Sequence, residues 1–157
     1  MLFRSQNLNF VLSYTSLQAE FANNFLTCGT STTCTVPNLT VPKGNHIPGV
    51  PRQFLFGELS WASHKPSGFL TALEMHRTDK IYTTDVNDEA APAYTLFHWR
   101  ASLGQQKSGG WSFKEFVRVE NLLDRKYVGS VIVNASNGQY YEPAPERSFV
   151  IGFSAQH

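Results

Sequence analysis

Charge is what this sequence is shortest of. Of its 157 residues, 16% are Asp, Glu, Lys or Arg, against roughly 25% in an ordinary soluble domain. The 13 basic and 12 acidic residues nearly cancel, leaving a net charge of +1, which argues against a basic nucleic-acid-binding surface. Long apolar runs are missing too. Ser, Thr and Asn lace every uncharged stretch, so no helix of about 20 apolar residues is available to cross a bilayer. In the first 19 residues, Asn7, Asn9, Ser13 and Thr15 interrupt any signal-peptide core. The only cysteines are Cys28 and Cys34, separated by five small or polar residues. Two free thiols are the plainer reading, but this spacing in one polar loop favours a disulfide in an oxidising compartment. A structural zinc site wants four ligands, and only His46 lies nearby in sequence. Catalytic signatures are lacking as well. The five histidines are scattered, no phosphate-binding glycine loop or Gly-x-Ser-x-Gly elbow occurs, and nothing singles out a pair of carboxylates. No enzyme and no cofactor is expected.

Aromatic residues are plentiful at 13%, with 12 Phe, 6 Tyr and 3 Trp, which argues against a disordered tail. Their spacing is mostly period two, the signal of strands with two different faces. Leu8, Phe10, Leu12 and Tyr14 share one side of a first run, which alternation extends to Phe21 with a slip in phase near Ser16. A second run covers Pro51 to Ala62, with Leu55, Leu59 and Trp61 on one face. A third starts at Phe69, where Phe69, Thr71, Leu73 and Met75 oppose Leu70, Ala72, Glu74 and His76. In a fourth, Phe97, Trp99, Ala101 and Leu103 oppose His98, Arg100 and Ser102. A fifth reaches from Trp111 to about Glu120, and the last opens at Arg147, with Phe149, Ile151, Phe153 and Ala155 on one side. In Phe116 to Tyr127, the spacing of Phe116, Val119, Leu123 and Tyr127 leaves strand and helix open.

The connections alternate long, short, medium, short, long. Phe21 to Pro51 is a polar loop, His64 to Gly68 a tight turn, Thr83 to Pro92 a medium acidic loop, Gly104 to Gly110 short, and Asn121 to Glu146 long. Structureless loops above about 15 residues are rare in compact soluble domains. Short connections at one end and long ones at the other mark an antiparallel transmembrane β-barrel. Strands of about 9 to 12 residues suit a tilted crossing. The fold class read here is therefore all-β, an up-and-down meander of about six long strands. Trp61 and Trp111 then fall at one interface as an aromatic belt. Trp99 falls nearer mid-bilayer. Glu115 falls on the lipid side by strict alternation from Trp111, and a β-bulge near Lys114 would turn it inward.

Three stretches carry a family resemblance. Val119-Glu-Asn-Leu-Leu-Asp-Arg-Lys-Tyr127 resembles the "V-x-N-L-F-D-K-x-Y" segment near the end of TonB-dependent outer-membrane receptors. Tyr140-Tyr-Glu-Pro-Ala-Pro-Glu-Arg-Ser-Phe149 resembles their "Y-x-E-P-A-P-G-R-T-F" opening of the final strand, and Ile47-Pro-Gly-Val-Pro51 their "P-G-V-P" strand entry. Ser13-Tyr-Thr and Ala19-Glu-Phe are similar to a strand pair in the same barrels. Two departures stand out: Glu146 replaces the family's glycine, and His157 replaces its terminal aromatic. The resemblance spans all 157 residues but only the last third of such a receptor. It implies the C-terminal segment of a barrel of about 22 strands, lacking the plug domain and the earlier strands, hence a fragment. It also implies a strand up to Glu120, a periplasmic C-terminus and long loops outside a Gram-negative outer membrane.

For the intact parent, the resemblance implies TonB-driven uptake of a ferric siderophore or similar scarce nutrient. Its partners would be outer-membrane lipid, TonB, the plug and a siderophore-like ligand, with no nucleic acid. The Gly129 to Tyr141 loop also resembles receptors for pyrroloquinoline quinone, a second reading. Ligand-path candidates are Glu74, His76, His98 and Arg100 on polar strand faces, with Tyr140 and Tyr141 at the outer rim. Trp61, Trp111, Phe149 and Phe153 are the candidate membrane-interface aromatics. Asp85, Asp88 and Glu89 read as a solvated acidic loop rather than a calcium site. The rival from another class is a secreted soluble β-sandwich such as a carbohydrate-binding module, which one disulfide and the sequons at Asn38 and Asn134 would suit.

Overall fold

The computed structural model describes residues 2–4, 7–63, 68–106 and 110–156. Thirteen strands run in chain order: β1 (Leu2–Arg4), β2 (Leu8–Ser16), β3 (Phe25–Thr27), β4 (Leu39–Val41), β5 (Gln53–Ala62), β6 (Leu70–Thr78) and β7 (Ile81–Tyr82), then β8 (Ala90–Ala91), β9 (Tyr94–Gln106), β10 (Ser112–Glu120), β11 (Val128–Val131), β12 (Tyr141–Pro143) and β13 (Ser148–Gln156). Six long strands and the short β1 make one sheet in the order β1-β2-β5-β6-β9-β10-β13, antiparallel at every junction. This is the up-and-down meander that alternation and loop lengths predict.

Directly paired residues share a face, so register turns one-dimensional alternation into two sheet faces. Across one face run Phe10, Leu59, Leu73, Trp99, Val119 and Phe149 in a single paired row. Across the other run Val11, Glu58, Glu74, His98 and, one pair along, Arg100 with Arg118. Among the described residues the apolar face has no second layer. Phe149, Ile151 and Phe153 are 68%, 84% and 64% exposed, while the buried apolar residues are few and mostly small, Ala72, Ala91, Ala101 and Ala135 with Val41, Leu96 and Val119. The remaining sheets among the described residues are two-stranded hairpins, β3-β4, β7-β8 and β11-β12, set within the long connections. A sandwich needs a facing sheet, so the soluble β-sandwich reading is not the architecture found.

The structure decides three local points. The first strand stops at Ser16 rather than continuing to Phe21. Leu17 still donates to the Arg52 carbonyl (2.8 Å), but the chain then leaves the sheet and pairs with its own loop, Glu20 bridging His46 and the Phe21 amide donating to Asn45 (2.9 Å). In Phe116 to Tyr127 strand wins over helix: β10 ends at Glu120, and Asn121 (φ 49°) and Asp124 (φ 54°) adopt left-handed turn conformations that no α-helix contains. No bulge occurs near Lys114. It pairs in step with Gly104 and Ser154, so Glu115 stays on the apolar face opposite Leu103 and Phe153. The expected turns at His64–Gly68 and Gly104–Gly110 fall mostly outside the described residues, as does His157; the Ser63 amide donating to the Phe69 carbonyl (2.8 Å) closes the first of these hairpins.

β13 fits β10 through an absent side chain. Gly152 pairs with Phe116, whose ring lies where a Cβ would sit, 2.1 Å from Cε1. Gly152→Val is therefore expected to lower the urea midpoint, followed by tryptophan fluorescence in detergent micelles, by the equivalent of about 1–3 kcal/mol. Adding Phe116→Ala should recover most of that loss; an additive double variant would show that the ring is not the cause.

Candidate functional site

Alternation alone places Glu74, His76, His98 and Arg100 on polar faces; register brings the four together. Glu74, on β6 and 6% exposed, is the centre. Arg100 Nε donates to its Oε1 (2.9 Å), and Arg118 donates Nη1 to Oε1 and Nη2 to Oε2, both at 2.8 Å. Arg100 also donates Nη2 to Glu58 Oε2 on β5 (2.8 Å), and Arg118 Nε donates to Glu120. Such charge-assisted forks are the strong hydrogen bonds of a low-dielectric site. Two histidines complete the cluster. The His76 and His98 rings meet edge to face at 4.8 Å, and His76 Nε2 lies 3.7 Å from Glu74 Oε2. Phe56 packs edge-on against His76 at 5.1 Å.

His98 joins this cluster to the loop end. Its Nδ1 faces two groups, the Glu120 carboxylate and the backbone N–H of Asn121 (3.3 Å). The nitrogen serves one at a time. A bare lone pair accepts from Asn121; a protonated nitrogen donates to Glu120. Asn121 is 3% exposed and closes its turn by donating Nδ2 to the Arg125 carbonyl (2.8 Å) and accepting the Arg125 amide at Oδ1 (2.9 Å). The turn is bracketed from the far side of its loop, where the Arg147 amide donates to Asp124 Oδ1 (2.9 Å).

Glu58, Arg118 and Glu120 escaped sequence reasoning as members of the cluster. Their same-face positions were legible, but the register that aligns them across strands was not.

Tyr140 and Tyr141 lie apart from the cluster, where the three long connections pack into a cap. The Asp85 amide donates to Asn134 Oδ1 (3.1 Å), and Asn134 Nδ2 donates to Asp85 Oδ2 (2.9 Å). The His46 amide donates to Asn87 Oδ1 (2.7 Å), and Asn87 Nδ2 returns a bond to the His46 carbonyl (2.9 Å). Both asparagines hold positive φ, 61° and 52°, as their side chains tolerate. The single Tyr141 hydroxyl proton is shared between two acceptors, Glu89 Oε2 (3.1 Å) and the Ala90 carbonyl (3.2 Å); partial burial, then the Glu89 carboxylate, pushes its phenol upward in pKa. Tyr140 helps line a cavity of about 60 Å³ with Thr84, Asp85, Asp88 and Asn134. The acidic residues are engaged inside the cap: Asp88 accepts from Thr84, Asp85 from Asn134 and Glu89 from Tyr141. Cys28 and Cys34 are disulfide-bonded in the β3–β4 connection.

The interface candidates divide between the ends. Trp61 meets Phe69 at 6.0 Å, while Trp111, Phe113 and Phe153 form a stacked run at 6.3 and 5.8 Å, all toward the short turns. Phe149 lies at the loop end, opposite Val119. Trp99 sits mid-strand on the apolar face, its indole N–H donated to Thr71 Oγ1 (2.9 Å).

Glu74→Gln keeps the shape and removes the charge that both guanidiniums share. The expected loss is about 3–5 kcal/mol, the cost of breaking a buried pair, read as a fall in urea midpoint. Glu146→Gln, in the exposed pair with Lys126 (3.9 Å), should leave the midpoint unmoved.

No family model matches the sequence. Among solved structures, the siderophore receptor PiuA from Acinetobacter baumannii superposes with a TM-score of 0.66 at 19% identity, over 96% of this chain and 20% of that one. BauA, the ferric preacinetobactin receptor from the same organism, gives 0.63 at 10% identity, over 98% and 28%. The chain thus spans a fifth to a little over a quarter of the receptors it matches. At these identities the likeness concerns architecture: the chain has the fold of a β-barrel segment from a siderophore receptor.

Proposed function

We propose that this chain is the C-terminal part of the β-barrel of a TonB-dependent outer-membrane receptor, and that the intact parent takes up a ferric siderophore. The observation that carries the reading is the two-sidedness of the seven-stranded sheet. One face is apolar apart from Glu115, with no covering layer among the described residues; the other gathers Glu58, Glu74, Arg100, Arg118 and Glu120 into a paired cluster. Hydrocarbon outside and a polar interior account for both faces at once. The fold shared with two siderophore receptors and the three sequence motifs in the family's order support the same reading.

In this reading the cap of long connections faces the cell exterior, where a disulfide persists, and the short turns face the periplasm. The cap and the lumenal cluster are the parts that a ligand meets: Tyr140 and Tyr141 at the mouth, then His76, His98 and Arg100 on the wall. TonB and the plug act through the parent. The chemistry is binding and gating.

Exported with a cleavable leader, the full chain should fractionate with outer membranes and require detergent for extraction. An epitope inserted after Ser31 should label on intact cells, and a C-terminal epitope only after permeabilisation. Replacing the matching strands of PiuA with this chain should preserve import of that receptor's ferric siderophore. A chain recovered soluble and monodisperse without detergent would overturn the proposal.

A further inference from the structure

The apolar face carries an isolated carboxylate, Glu115, with no ion pair to any described residue. Beside it opens a groove of about 300 Å³ lined by Phe69, Ala101, Leu103, Val117 and Ile151. The neighbouring hairpin fixes the level of this groove. Gly68 lies against the Gly104 backbone, 3.2 Å from a Gly68 Cβ position to the Gly104 carbonyl oxygen, and Gly104 pairs with Lys114, the residue before Glu115. Glu115 therefore stands level with the end of the β5–β6 hairpin, where Phe69 and Trp61 pack together. That is the boundary between hydrocarbon and headgroups, not the middle of the bilayer.

Resting on the membrane reading above, we infer that this groove is a phospholipid site selective for a primary-amine headgroup. The acyl chain lies along the groove, and the ammonium pairs with Glu115. A carboxylate at a hydrocarbon edge is costly without a partner. No described residue forms an ion pair with Glu115, and the membrane supplies a cation at that level in the lipid headgroup. A primary ammonium offers three N–H donors to the two carboxylate oxygens; a quaternary one offers none, and a net anionic headgroup is repelled.

Two tryptophans report on the groove: Trp61 beside Phe69, and Trp99 two residues from Ala101 on the same strand face. The test places the full chain in phosphatidylcholine nanodiscs doped with acyl-brominated phosphatidylethanolamine or acyl-brominated phosphatidylcholine. The brominated amine lipid should reach half-maximal quenching at about two- to fivefold lower mole fraction, the worth of one exposed ion pair. Glu115→Gln should abolish that difference while leaving the phosphatidylcholine curve in place. In the unmutated chain, successive N-methylation of the headgroup should erase the preference stepwise. Equal curves for the two headgroups, or a preference that survives Glu115→Gln, would overturn the lipid site and leave the membrane reading standing. No quenching by either lipid would overturn the membrane reading, and the site with it.

Discussion

The Glu74 carboxylate holds the polar face in register. Its bonds to Arg100 and Arg118 join β6 to β9 and β10, and the second fork of Arg100 reaches Glu58 on β5. Four strands are thereby tied by side chains as well as by their ladders. A one-residue slip of β9 would swing Arg100 to the apolar side and strand the carboxylate. Low local dielectric strengthens each paired bond and magnifies the penalty for any unpaired group. A carboxylate–guanidinium cluster paired in this way therefore specifies alignment, whatever net stability it adds.

The apolar face is ordered by a different rule. No second layer covers it among the described residues, and Phe149, Ile151 and Phe153 stay mostly exposed while Val119 and Ala101 are covered by their neighbours. The polar atoms it does carry are handled individually. Trp99 gives its indole N–H to Thr71, so a mid-strand indole carries no unpaired donor. Rigidity beyond the sheet comes from asparagine. Asn87 and Asn134 each reach two backbone or side-chain groups of another loop, which turns three long connections into one packed cap.

Much of this was legible in the sequence because period two is insensitive to tertiary context over six long strands. The meander, its alternating loop lengths and the polar positions of Glu74, His76, His98 and Arg100 all follow from it. Cross-strand partners did not, since Glu58, Arg118 and Glu120 become neighbours of Glu74 only once register is fixed. The long connections read as structureless because β3, β4, β7 and β8 are two or three residues each, too short for alternation to show. Glu115 read as a misfit because a single strand does not reveal where its neighbour's hairpin ends.

Strand direction has a consequence of parity. β1 and β13 occupy the two borders of a seven-membered, wholly antiparallel sheet, so they point the same way. Brought edge to edge, whether within one chain or between identical copies, they would form a parallel seam. A cylinder that keeps every neighbour opposed must interpose an odd number of further strands, and the finished ring then has the even count usual for bacterial barrels. The border geometry thus dictates the arithmetic of any closed wall that includes this sheet.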